Sequence, residues 1–78
     1  NIGVRQQLIE ILLNGGFVDQ AIEQFINVAD AYYQLAQVDQ AIVQYNRALD
    51  FVDQGEPERH WEANILHRIG DIHMQRVN

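Results

Sequence analysis

A chain of 78 residues supports one small domain, and an apolar content of 47% is generous for that size. It carries 11 acidic and 5 basic residues, a formal charge of −6, and it has no Cys, Lys, Ser or Thr. That inventory excludes disulfide staples, thiol and hydroxyl nucleophiles, Schiff bases and lysine-dependent phosphate loops. The charge opposes binding to a nucleic-acid backbone, no apolar run is long enough to span a bilayer, and no signal-peptide pattern is present. No enzymatic activity, cofactor, metal, nucleic acid or membrane partner is expected, and the expected location is cytoplasmic.

In chain order, four segments show helical periodicity. The first runs over residues 2–13, with Leu8, Ile9, Leu12 and Leu13 at helical spacing, and Asn14-Gly15-Gly16 ends it because Gly accepts the left-handed conformation of a helix C-terminus. The second spans 19–36 and opens on Asp19, whose carboxylate suits the positive end of a helix and its orphan amides. Ala21, Phe25, Val28, Ala29, Tyr32, Leu35 and Ala36 share one face of it, while Glu23, Asn27, Asp30 and Gln34 form the opposite polar stripe. A third helix over 39–52 turns Ala41, Ile42, Tyr45, Ala48 and Leu49 inward. Asp53-Gln54-Gly55-Glu56 reads as a loop, with Pro57 at a first helical position.

The fourth helix, over 58–77, has a wide apolar arc. Trp61, Ile65, Ile69 and Ile72 form one side, and Ala63, Leu66, Gly70, His73 and Val77 the other. Such a helix needs neighbours on both sides. The expectation is self-association of the chain through Trp61, Ile65, Ile69 and Ile72, giving a homo-oligomer; Trp61 taken alone reads either as an anchor for a partner or, with more weight, as a core residue packed under the preceding loop.

The pentapeptide Val-Asp-Gln-Ala-Ile occurs at Val18–Ile22 and again at Val38–Ile42, each time with an aromatic residue four places after the Ala (Phe25, Tyr45). A repeat in so short a chain fixes the architecture. The pattern Phe25-x-x-Val28-Ala29-x-x-Tyr32, followed by Ala41-x-x-x-Tyr45-x-x-Ala48, resembles the tetratricopeptide repeat, and Leu66-x-x-Ile69-Gly70-x-x-His73 resembles the start of another copy. In physical terms Ala29, Ala41, Ala48 and Gly70 are small where helices approach, and Phe25, Tyr32 and Tyr45 are large to fill the gaps between rods. The resemblance implies an all-α fold: about four helices in an antiparallel helix-turn-helix array, one domain over 1–78 and a piece of a longer solenoid. Two spacings depart from the family period of about 34 residues. The pentapeptides are 20 residues apart, and Ala29 and Gly70 are 41 apart, which is similar to the longer repeats of kinesin light chains and bacterial regulators.

By that resemblance the chain is a scaffold for protein–protein interaction. The polar stripe Glu23, Asn27, Asp30 and Gln34, flanked by Ile26 and Tyr33, would line a groove with His67 and Asp71 and favour a basic or amide-rich peptide. The same stripe is equally readable as a solvated helix face. A carboxylate clamp for chaperone tails would need Lys and Arg where this stripe has Asp and Glu. His60 and His67 lie about 10 Å apart along a helix at about 1.5 Å per residue, too far to chelate one metal ion. His73 reads as a packed core residue. Two further readings are a regulatory segment of a signalling or transcription protein and an accessory module of an enzyme complex using His67 and Asp71.

Overall fold

A computed structural model describes residues 2–77, with side chains as far as Gln75. The protein is all-α: α1 (Ile2–Asn14), α2 (Val18–Gln34), α3 (Val38–Leu49) and α4 (Trp61–Val77), with no strand among the described residues. Each helix packs on its neighbour in sequence, and the tight corners make α1, α2 and α3 successively antiparallel. The Cα envelope measures 41 × 28 × 14 Å. At helix spacings of about 8–10 Å, that slab is too thin for more than two layers of rods. No helix among the described residues is long and apolar enough to cross a membrane.

The two corners have the same hydrogen bonds, shifted by the repeat length. At the first, Gly16 N–H donates to Leu13 C=O (3.1 Å) and Phe17 N–H to Leu12 C=O (2.8 Å); at the second, Ala36 donates to Tyr33 (3.0 Å) and Gln37 to Tyr32 (2.9 Å). This is the paired-bond helix stop in which the residue after the cap turns left-handed. Gly16 sits there at φ 81° and Ala36 at φ 61°. Ala36 therefore ends α2 two residues after Gln34, whereas the sequence placed it inside the helix. Its Cβ bears the left-handed strain that Gly16 avoids, about 1–2 kcal/mol. Since Ala36 is exposed and Gly loosens the unfolded chain, Ala36→Gly should raise stability by about 0.5–1 kcal/mol in urea denaturation. A loss of stability instead would mean that the corner is not left-handed.

The core follows the alternation of small and large residues. Ala21, Ala29, Ala41 and Ala48 are fully buried, and Phe25 and Tyr45 close the spaces beside them. Phe25 stacks on Phe51 with ring centroids 5.9 Å apart and planes 12° from parallel. Ile22 and Ile26 give α2 a second buried edge, so Ile26 is core rather than a flank of the polar stripe. Along α1 only Ile9 is buried, while Val4, Leu8 and Ile11 are exposed.

The largest differences from the sequence reading lie around α4. The third helix stops at Leu49, and two 3-10 turns, Val52–Gln54 and Pro57–Arg59, fill the connection. Pro57 opens the second turn, not α4. His60 follows in the left-handed region (φ 50°), which breaks the helix and delays α4 to Trp61. Trp61, Ile65 and Ile72, expected on an association face, are buried in the chain's own core, and Ile69 is partly buried against it. The side of α4 left open is the other one: Ala63, Leu66, Gly70, His73 and Met74 are exposed, and a Cβ built on Gly70 meets nothing within 4 Å. His73 is thus not a core residue, and among the described residues no other segment closes on Gly70. Val77 lies outside the described side chains.

Candidate functional site

What holds α4 in place is a contact from the start of α2. Asp19 is the second residue of α2; Phe17 precedes the helix and no side chain caps it. The Asp19 carboxylate accepts the Trp61 indole N–H at 2.8 Å and the Glu56 amide N–H at 2.9 Å. The indole, then the amide, then the Arg59 charge hold the Asp19 carboxyl below its ordinary range, against the opposing effect of desolvation. Gly55 completes the seat. A Cβ there would lie 2.8 Å from Asp19 Oδ1 and 3.1 Å from the Trp61 ring, so any larger residue would push these side chains off their seat.

With α4 seated on α3, its side chains also reach α2. Arg68 Nη1 reaches both carboxylate oxygens of Asp30, at 2.8 and 2.7 Å, and Arg68 Nε donates to Asn64 Oδ1 at 2.9 Å. The Tyr45 hydroxyl donates to the same Asp30. One carboxylate thereby ties α2, α3 and α4. The ion pair is 39% and 35% exposed on its two side chains, which makes it worth about 0–1 kcal/mol. It orients these helices more than it stabilises them. Farther along, the Tyr33 hydroxyl donates to Gln75 Oε1.

Burial, and after it the Asp30 carboxylate, pushes the Tyr45 phenol up to about 12 from 10.0. A raised acid favours the protonated form in the folded state. Its contribution is therefore complete below the ordinary phenol range and fades as pH rises from about 10 through about 12. Allowing for solvent screening of the half-exposed carboxylate, wild type should lose about 1–2 kcal/mol over that interval. Tyr45→Phe should lack this alkaline decline when stability is measured by urea titration at several pH values. Equal declines in the two proteins would refute the coupling.

Two depressions flank this tie. One of about 180 Å³ is lined by Asp30, Tyr33, Tyr45, Arg68, Asp71, Ile72 and Gln75; the other, of about 630 Å³, by Arg59, His60, Ala63, Asn64, His67, Arg68 and Asp71. Of the residues picked from sequence, Asp30, Tyr33, His67 and Asp71 come together there. His67 Nε2 lies 3.5 Å from Asp71 Oδ2. Glu23 and Gln34 are exposed and Asn27 half-buried on α2, but none of the three lines either depression. Arg68, Arg59 and Gln75 are functional candidates that sequence reasoning missed. Arg68 had one signal: it is one helical turn after Asn64 and one before Ile72, on the edge of the buried stripe, where an Arg requires a partner.

No family model, curated protein or solved structure matches the chain.

Proposed function

We propose that the chain is a non-enzymatic protein-interaction module of tetratricopeptide type, holding an extended segment of a partner protein along α4, beside its contact with α2. The observation that carries this is the pair of adjoining depressions, which share Arg68 and Asp71: the smaller is lined from α2, α3 and α4, and the larger from α4 and the turn before it, so that together they extend from Arg59 to Gln75. From Trp61 to Gln75 the helix rises roughly 21 Å at about 1.5 Å per residue, room for about six residues of extended peptide at about 3.3 Å each. Polar donors and acceptors line it over a rigid helical base, the arrangement that fixes a bound backbone. Further support is the packing of Ala29, Ala41, Ala48, Phe25 and Tyr45, small and large where the resemblance requires them.

The test is selection of displayed random twelve-residue peptides against the chain, followed by amide chemical-shift mapping. Binders should perturb Tyr33, Asn64, His67 and Asp71. Failure to select any binder, or shifts confined to α1 and the outward side of α3, would overturn the proposal.

A further inference from the structure

We infer that the chain holds a second site, a depression between α1 and α3 that binds a free apolar amino acid as its zwitterion. The site is separate from the trough along α4 and does not depend on it. Both α1 and α3 pack on α2, and between them lies a depression of about 260 Å³. Its lining includes Ile9, Glu10 and Leu13 from α1, Phe25 from α2, and Gln44 and Arg47 from α3. Gln44 sets this depression apart from the others. It is the one buried polar side chain among the described residues, 5% exposed, on a helix whose other buried positions are Ala41, Tyr45 and Ala48. No hydrogen bond ties its amide to another described residue, yet no polar atom is sealed away unsatisfied, so the amide is the part of Gln44 that meets the depression. A buried amide turned to a depression and not to the protein is free to bind a polar group of a ligand, as donor and as acceptor.

Two opposite charges stand on the facing walls, Glu10 on α1 and Arg47 on α3. Among the described residues neither is engaged in an ion pair or a side-chain hydrogen bond, with each other or with anything else. Ile9, Leu13 and Phe25 supply apolar surface between them. An apolar floor, an amide, one cation and one anion complement a small molecule with an apolar side chain, a carboxylate and an ammonium. A residue inside a peptide carries neither of those charges and a peptide terminus carries one, so the free amino acid is the ligand that answers both walls. At about 30 Å³ for each water-sized group the depression has room for about nine non-hydrogen atoms, the size of leucine.

Amide chemical-shift titration with leucine, glycine, isocaproate and isoamylamine tests this; the last two are leucine without its ammonium and without its carboxylate. Leucine should bind with a Kd of about 0.1–1 mM and move the amides of Ile9, Leu13 and Phe25 together with the side-chain amide of Gln44. Isocaproate and isoamylamine should bind about two- to fivefold more weakly, each lacking one exposed charge contact, and glycine weaker still for want of a side chain. Glu10→Gln should erase the preference for leucine over isocaproate, and Arg47→Gln the preference over isoamylamine. Both positions are exposed, so the fold should be undisturbed. Gln44→Leu, which keeps the volume and removes the amide, should lower leucine affinity about three- to tenfold. Should that variant disturb the fold, the two exposed positions carry the test alone. Absence of leucine-induced shifts up to about 10 mM, shifts confined to α4, equal affinity for leucine and glycine, or preferences unchanged in Glu10→Gln and Arg47→Gln would overturn the inference.

Discussion

Trp61→Ala is expected to lower unfolding free energy by about 3–5 kcal/mol, a large share of the roughly 4–12 kcal/mol available to a domain of this length. The Trp61 side chain is only 9% exposed and its ring is what Gly55 and Asp19 close upon. Removing it leaves a cavity between the connection and α4, and withdraws the donor nearest the Asp19 carboxylate. Urea denaturation gives the size of the loss. Trp61→Phe separates its causes, because a ring remains but the indole N–H does not, so its loss should be smaller. The acid limb should then change as well. A carboxyl held below its ordinary range contributes fully above pH 3.8 and loses that contribution as pH falls through the folded value. Without the indole the folded value moves back toward 3.8, so the decline due to this carboxyl should be smaller and end at higher pH. An unchanged acid limb in Trp61→Phe would show that Asp19 does not depend on this contact.

Ala41→Leu should cost about 1–3 kcal/mol by overpacking, although Leu is an excellent helix former. Ala41 has no exposed surface, in the helix that lies against α2. The added isobutyl group has no free volume to enter, and relief requires α2 and α3 to separate. Ala63→Leu provides the contrast: this alanine is exposed on the open side of α4, and the same substitution should change stability by no more than about 0.5 kcal/mol. Equal effects at the two positions in urea denaturation would mean that small residues at the α2–α3 contact are not required by packing.

The number of helices and the place of the first corner were readable because periodicity and Gly15-Gly16 are local signals. Ala36 was not, since alanine is the strongest helix former and its left-handed turn is imposed by the corner around it. Aligning the two pentapeptides would have revealed it, for Ala36 falls under Gly16. The start of α4 was misplaced for a related reason: Pro57 is a valid helix opener, and nothing in composition shows that His60 takes positive φ before the helix begins. The trough was half legible. Periodicity gave the α2 stripe, yet the partner of Asp30 is 38 positions away in Arg68, and pairing across that distance depends on how α4 is seated. The same limit applied to Ile65 and Ile72. An apolar arc tells that burial is needed without telling whether the chain itself supplies the cover.

The duplicated corner makes the stretch from Phe17 to Ala36 a module with matching ends. A second copy spliced in after Ala36 would meet the same junction on both sides, so the structure should lengthen by a single rod without breaking. Successive rods alternate in direction, however. An added copy would carry its own counterparts of Asp30 and Tyr33 one corner before α3, so α4 would meet the same partners and the change of sense would fall on α1 at the far end. In such a chain the site beside α4 would persist whatever the number of copies.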